Sequence, residues 1–307
     1  MDKDAVSLRT IEWLLDKAGR MPREVTYELA RGAGRLWYRI DGRHRRAAIE
    51  NLRIAFGDEL DDTKREALCR RNFEHLARVM LEVAYLGKLC PDNVADYAAI
   101  EGTEHIDNAR ARGKGALVLA AHFGNWELMA LASAILYHPV HVVVRPLDHP
   151  LLDRLVERFR SRWGNRVIPK KGAALKIFRV LKRGELVAVM MDQNAVRRDG
   201  VFAPFFNKPA CTNKSLAMIA LRSGSPVVPI SNVRGPDGRY TIMFEPEVPI
   251  VRTGDMERDC AENTARFNEV IERQVRLHPE QWLWLHERWR TRPTIKKSTG
   301  GLHEAPA

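Results

Sequence analysis

A histidine and a glutamate lie five residues apart in a segment whose pattern can direct both side chains into one cleft. His122 follows the apolar run 116–121, which has the length of a buried strand, and Glu127 falls in the first turn of the helix predicted over 125–136. Gly124 permits a tight turn between them. In open α/β sheets, reactive groups gather where the carboxyl end of a strand turns into a helix. We therefore predict that imidazole and carboxylate meet at this strand end.

The chemistry predicted for this pair is general base catalysis. A His–carboxylate pair without an evident serine or cysteine partner fits a base that removes a proton from a hydroxyl of the substrate. The hydroxyl oxygen then attacks a thioester carbonyl, and the intermediate expels a thiolate. Glu127 would fix the tautomer of His122 and stabilise the imidazolium, which is the role of the acid in a Ser-His-Asp triad. The spacing alone also fits a chance pair without function.

Strand and helix patterns alternate from residue 115 onwards. Strands are predicted at 116–121, 140–144, 166–168, 186–191, 225–233 and 240–245. Helices are predicted at 125–136, 151–163, 173–182 and 257–278. This order predicts an α/β fold with a mostly parallel central sheet flanked by helices, and an antiparallel pair near its end.

The first hundred residues have helical patterns instead. One helix is predicted over 21–40, and a second after Thr63, which forms a capping box with Glu66. We predict three parts: a helical N-terminal extension (1–100) that packs on the core, an α/β domain (101–295) and a polar, disordered tail (296–307).

Composition predicts a peripheral protein with a basic surface. The sequence has neither an apolar signal segment near its start nor an uncharged apolar run of about 18 residues, so neither a signal peptide nor a transmembrane helix is predicted. The four cysteines are scattered without metal-ligand spacing, which is typical of a reducing compartment. These features predict a cytoplasmic protein whose contact with a membrane is peripheral.

The formal net charge of +11 is compatible with nucleic acid, anionic lipid or an acidic protein as partner. Cationic residues recur beside large apolar ones on predicted amphipathic helices, which favours a membrane surface. No aromatic–basic recognition motif appears, so nucleic acid is not predicted as a partner. The basic region extends from 154 to 198. A solvated charged face is its plainest interpretation, but the set as a whole favours a docking surface for anionic headgroups or for an acidic carrier protein.

Five ordered blocks resemble a known enzyme family. Residues 122–127 (HFGNWE) match the H-x4-E/D motif of glycerolipid and lysophospholipid acyltransferases, and most resemble the late acyltransferases of lipid A biosynthesis. The other blocks are VVRPLDHP at 143–150, VMMDQ at 189–193, FFNKPACT at 205–212 and PEQWLWLHERW at 279–289. The resemblance extends over about residues 20–293 of the 307 residues.

The resemblance implies an acyltransferase that uses no metal and no bound cofactor. Its implied acyl donor is acyl-acyl carrier protein, and its implied acceptor is a hydroxyl of an anionic lipid A precursor. The expected place is the cytoplasmic face of the inner membrane, without a spanning helix. His122 and Glu127 are the implied catalytic residues. The predicted substrate-binding residues are Arg145, Asp192, Asn125 and Thr212.

Arg145 and Asp192 both follow predicted strands, so they should reach the same cleft. Arg145 would hold a phosphate or an oxyanion, and Asp192 would orient Arg145 or a substrate hydroxyl. A structural salt bridge is the alternative for Arg145.

Two features depart from the lipid A branch. Its members usually carry a hydrophobic N-terminal anchor, and no such apolar segment is predicted in this sequence. Asn207 also stands where glycine is more usual. An acyl-CoA-dependent acyltransferase of another glycolipid or lysophospholipid, for example of phosphatidylinositol mannosides, therefore stays open. A non-catalytic peripheral lipid-binding protein is the alternative of another class.

Overall fold

A seven-stranded sheet forms the centre of the molecule. The structure, a computed structural model, describes Trp13, residues 15–145 and residues 149–294, apart from the side chains at 150 and 152. The predicted tail at 296–307 lies outside the described residues. The strands of the sheet are β1 (Ala98–Glu101), β2 (Ala116–Ala120), β3 (His141–Val144), β4 (Arg166–Pro169), β5 (Leu186–Met190), β8 (Val227–Arg234) and β9 (Tyr240–Phe244).

The strand order in the sheet is β1-β9-β8-β2-β5-β3-β4. The pairing is parallel except between β8 and β9, so the predicted mostly parallel α/β sheet with a late antiparallel pair is confirmed. A separate hairpin consists of β6 (Gly200–Phe205) and β7 (Lys208–Asn213). Its turn places Phe206 and Asn207 at φ of 51° and 55°, a left-handed conformation in which asparagine is tolerated better than most residues.

Nine named helices surround the sheet in the described part of the chain. They are α1 (Arg23–Ile40), α2 (Gly42–Phe56), α3 (Asp62–Leu86), α4 (Thr103–Arg110), α5 (Trp126–Leu136), α6 (Pro150–Ser161), α7 (Ala173–Lys182), α8 (Ser215–Ser223) and α9 (Met256–Leu277). None of the helices so described is both long and apolar enough to cross a bilayer.

The N-terminal helices pack against the C-terminal segment of the chain. Asn72 of α3 donates through Nδ2 to the backbone oxygen of Trp282 at 2.6 Å, and Asn51 of α2 donates to that of Trp284 at 2.7 Å. α3 begins one residue before Thr63, because Asp61 caps it by accepting from the Lys64 amide at 2.8 Å. The predicted capping box is therefore wrong. β1 starts at Ala98, just before the predicted boundary, and the division into an extension and a domain stays a prediction.

Strand β2 lies in the middle of the sheet, and all five of its residues are buried. It pairs in parallel with β5, and Ala120 lies opposite Met190. Continuing this register by two residues brings His122 next to Asp192. The strand pairing therefore places these two side chains together at the carboxyl edge of the sheet.

Candidate active site

A cavity of about 880 Å³ lies at this edge of the sheet. Residues just beyond β2, β3 and β5 line its floor, including His122, Arg145 and Met191. Helices α3, α6, α7 and α8 supply apolar side chains to its walls, among them Val83, Phe159, Phe178, Leu216 and Ile219. A polar, histidine-bearing floor with apolar walls can hold both a reacting head group and an alkyl chain.

The imidazole of His122 is fixed by Asp192. His122 Nδ1 lies 2.8 Å from Asp192 Oδ1, and the backbone amide of His122 donates to Oδ2 at 2.9 Å. The indole N–H of Trp282 donates to the same Oδ2 at 2.8 Å. Because the acceptor is a carboxylate, Nδ1 is the protonated nitrogen of a neutral His122, and Nε2 carries the free electron pair.

Asp192 remains charged behind the histidine. Its carboxylate is 2% exposed, and burial alone would raise its pKa. The charge of His122 and the hydrogen bonds from His122 and Trp282 outweigh burial, so the pKa of Asp192 lies below its ordinary value. A negative charge held here stabilises an imidazolium formed at His122.

The second nitrogen of His122 is directed to the cavity side of the ring. His122 Nε2 lies 3.3 Å from Gln193 Nε2, and both residues line the cavity. The Trp126 ring packs edge-on against the imidazole, with centroids 5.2 Å apart. A basic nitrogen so oriented is in place to accept a proton from a hydroxyl group in the cavity.

Glu127 lines the same cavity, but its carboxylate is held by a different partner than predicted. It forms a two-point ion pair with the guanidinium of Arg160 on α6, with Arg160 Nε 2.8 Å from Glu127 Oε2 and a second contact from Nη2 to Oε1. The prediction that Glu127 orients His122 is wrong in this geometry. Glu127 lies in the first turn of α5 and contacts α6, whereas the strand register brings Asp192 to His122 Nδ1.

The ion pair keeps Arg160 charged inside the cavity wall. Burial alone would lower the pKa of Arg160, but the hydrogen bond and charge of Glu127 raise it above its ordinary value. Two of its nitrogens face Glu127, which leaves further N–H groups of the fork for other acceptors. Arg145, predicted to bind phosphate, is exposed at the end of β3 and also lines the cavity.

Three of the four predicted substrate-binding residues lie outside the cavity lining: Asp192, which lies behind His122, and Asn125 and Thr212. Asn125 is 1% exposed and caps α5, since its Oδ1 accepts from the Leu128 amide at 3.0 Å. Thr212 is fully buried, and its hydroxyl accepts from Arg288 Nη2 at 2.5 Å and Asn268 Nδ2 at 3.2 Å. These contacts stabilise the fold around the site, and a substrate-binding role of Asn125 and Thr212 stays a prediction.

Sequence reasoning missed a buried carboxylate behind the motif. Glu82 of α3 accepts at Oε2 from Asn125 Nδ2 at 2.8 Å and from the Tyr240 hydroxyl at 2.7 Å. Its Oε1 is buried and has no hydrogen-bond partner in the described structure. Burial raises the pKa of Glu82 above its ordinary value, so it differs from the equally buried Asp192. No local sequence signal marks it, because Glu82 lies in an ordinary helical pattern.

A buried histidine supports the same turn. His75 Nε2 lies 3.3 Å from the Gly124 carbonyl oxygen, and Arg234 Nη2 lies 2.9 Å from His75 Nδ1. This pattern needs a neutral ring, and burial with the charge of Arg234 lowers the pKa of His75 well below its ordinary value. The backbone at Gly124 also approaches β8 too closely for any side chain, since a Cβ there would be 1.8 Å from the Asn232 oxygen. The turn between His122 and Glu127 is therefore fixed from two sides.

Comparison with known proteins identifies the family. Residues 10–291 match the model of the bacterial lipid A biosynthesis acyltransferases. The lipid A biosynthesis lauroyltransferase of Escherichia coli strain K12 is 33% identical over 89% of this chain and 88% of its own length. The palmitoleoyltransferase of the same organism is 29% identical over 82% and 80%, and the myristoyltransferase 23% identical over 84% and 79%. The predicted family is confirmed: the chain belongs to the bacterial lipid A biosynthesis acyltransferases and is an acyl-transferring enzyme.

Proposed function

We propose that this enzyme transfers a fatty acyl group from the thioester of acyl-acyl carrier protein to a hydroxyl of a lipid A precursor. The observation that carries the proposal is the His122–Asp192 pair on the floor of a cavity with apolar walls. The names of the relatives support lipid A as the acceptor class. The carrier-linked donor fits the exposed cations Lys176, Arg179 and Lys182 of α7, a helix whose start lines the cavity.

His122 is the base of the proposed reaction. Its Nε2 takes the proton of the acceptor hydroxyl while the hydroxyl oxygen forms a bond with the thioester carbonyl carbon. The tetrahedral intermediate then breaks its C–S bond, and the thiolate takes the proton back from His122. Asp192 stabilises the imidazolium between these two steps, as the acid of a Ser-His-Asp triad does.

Glu127 acts through Arg160 in this proposal. The two-point ion pair holds the Arg160 guanidinium at the cavity wall, with N–H groups left to donate to a phosphate or to a carbonyl oxygen that becomes negative. Arg145 lines the same cavity and supplies a second cation for an acceptor phosphate. Glu127 is thus a positioning residue rather than the partner of His122.

The proposed enzyme works at the cytoplasmic face of the inner membrane. Helix α1 carries a stripe of apolar side chains that are 47–72% exposed, namely Val25, Leu29, Leu36 and Ile40. Their spacing places them within about 60° of helix surface, and Arg35 and Arg39 lie beside them. An apolar stripe with flanking arginines binds an anionic bilayer surface. Sedimentation with anionic vesicles should fall sharply for L29E/L36E.

The test of the reaction uses purified protein with defined donors and acceptors. Lipid mass spectrometry should find one added acyl group on a lipid A precursor supplied with acyl-acyl carrier protein. Less product should form from acyl-CoA or with a lysophospholipid acceptor. The H122A variant should lose about 10²–10⁴-fold in rate. H105A is the matched control, because His105 lies on α4 outside the cavity lining. Product formed at the normal rate by H122A would contradict the proposal.

A further inference from the structure

The outer face of helix α7 combines three exposed cations with one exposed leucine. Its inner face is buried through Ala173, Ile177, Val180 and Leu181. Its outer face carries Lys176, Arg179 and Lys182, all exposed, around Leu175, which is 70% exposed. The segment from Lys170 to Gly184 contains no acidic residue. We refer to Leu175, Lys176, Arg179 and Lys182 as the α7 face.

The cations of this face have no ionic partner among the residues that the structure describes. In the part of the molecule that the structure describes, Lys176, Arg179 and Lys182 form no ion pair, whereas the neighbouring Arg183 pairs with Glu185. Many other exposed arginines are paired, as Arg35 is with Glu74. Three unpaired cations within two helical turns give a positive potential that attracts an acidic partner.

The α7 face adjoins the mouth of the active-site cavity. Lys170, Gly172, Ala173 and Ala174, at the start of α7, line the cavity, as do Ile177 and Phe178 on its inner side. A ten-residue helix is about 15 Å long. A partner seated on the outer face is therefore within about 15 Å of the cavity mouth. A flexible prosthetic arm can cover this distance.

We propose that the α7 face docks the acyl carrier protein, with an acidic helix of the carrier on its three cations and an apolar carrier side chain against Leu175. This inference rests on the carrier-linked donor of the proposed function. The docking mode explains an exposed leucine in the middle of cations, since a small apolar centre with a charged rim is typical of a protein interface. The carrier's thioester arm then enters the cavity past the start of α7, towards His122.

A charge-reversal variant tests this surface. K176E/R179E/K182E keeps helix propensity, because glutamate is a good helix former. Its KM for acyl-acyl carrier protein should rise about tenfold or more at low salt, and less at high salt. Its KM for an acyl-pantetheine thioester, which lacks the carrier, should stay unchanged and so report an intact fold and site. R71E/K208E/R258E is the matched control, with the same change in charge at exposed positions outside the cavity lining.

Direct binding of holo acyl carrier protein separates this inference from the proposed reaction. Binding by the wild type that the charge-reversal variant loses supports the α7 face, even if no acyl transfer is found. Transfer from acyl-pantetheine to a lipid A precursor without such a loss leaves the reaction standing and overturns the docking surface. Equal losses in the variant and the matched control would also overturn it. So would loss of anionic-vesicle binding with an unchanged KM for the carrier, which would assign the face to lipid.

Discussion

Two carboxylates at the candidate active site, Asp192 and Glu127, differ in their burial, in the side chain that they contact and in their distance from His122 along the sequence. Asp192 is buried, accepts three hydrogen bonds and contacts the imidazole of His122. Glu127 lies in the cavity wall and contacts the guanidinium of Arg160. Asp192 is 70 positions from His122 in the sequence, whereas Glu127 is five positions away.

The difference shows that nearness in sequence does not decide which carboxylate contacts the imidazole of His122. Residues after two adjacent parallel strands share one sheet edge, so Asp192 meets His122 through strand pairing. Glu127 belongs to the helix that leaves this edge, and its nearest cation is on the next helix. The motif spacing therefore places Glu127 in contact with Arg160, whereas His122 contacts Asp192.

The largest difference between the two carboxylates is predicted for the chemical step. D192N replaces the acceptor of Nδ1 with an amide that can donate to it, which favours the wrong imidazole tautomer. We expect kcat to fall about 10²–10⁴-fold with a folded protein. Steady-state rates with saturating donor and acceptor check this. A D192N enzyme within a few-fold of the wild type would refute the role of Asp192.

Substitution of Glu127 should weaken the binding of the acceptor more than it slows the proton transfer. E127Q keeps the size of the side chain but weakens the hold on Arg160, so kcat/KM should fall about 10–100-fold, mainly through KM for the phosphorylated acceptor. R160K should give a similar loss, and the double variant should lose little more than either single variant. Additive losses from E127Q and R160K would show that the two residues act separately.

The buried residues around the site should affect stability and spare substrate binding. T212V removes an acceptor from Arg288 and should lower the free energy of unfolding by about 1–3 kcal/mol. N125A removes the cap of α5 and should cost about 1 kcal/mol or more. Denaturant unfolding measures both losses. A changed KM in a stably folded T212V enzyme would support the predicted substrate-binding role of Thr212.

The smallest effect is a pH dependence of stability from His75. The pKa of His75 is lowered by burial and by the facing Arg234 and Arg78, so the unfolded chain binds the proton more readily than the folded one. Stability from this group is present above the ordinary pKa of histidine and falls as the pH drops below it. Glu82, whose pKa is raised, contributes with the opposite sign. The free energy of unfolding should therefore decline less steeply for H75Q than for the wild type as the pH falls from about 7 to about 5.

The sequence predicted the elements with strong periodic patterns. β2, β5 and the helices around them follow from apolar runs of strand length and from amphipathic repeats. β1 was missed because three of its four residues are alanine or glutamate, which are weak strand formers. The β6–β7 hairpin was missed because Pro204 and Pro209 break the signal of a strand.

The sequence predicted which residues lie at the cavity edge more successfully than it predicted which of these residues contact each other. His122, Glu127 and Arg145 line the cavity, and Asp192 lies directly behind His122, because each follows a strand or starts the next helix at one edge. The contact between His122 and Asp192 depends on β2 and β5 being neighbours. That neighbour relation is set by tertiary packing, and no spacing along one chain encodes it.

The tautomer of His122 shows whether Asp192 or Glu127 orients the imidazole. ¹⁵N NMR of histidine-labelled protein, with His122 assigned through H122Q, distinguishes protonated from unprotonated ring nitrogens. At neutral pH we predict a proton on Nδ1 and a free electron pair on Nε2, in the wild type and in E127Q, and loss of this pattern in D192N. A proton on Nε2 in the wild type, or a tautomer that changes in E127Q but not in D192N, would show that Asp192 does not orient His122.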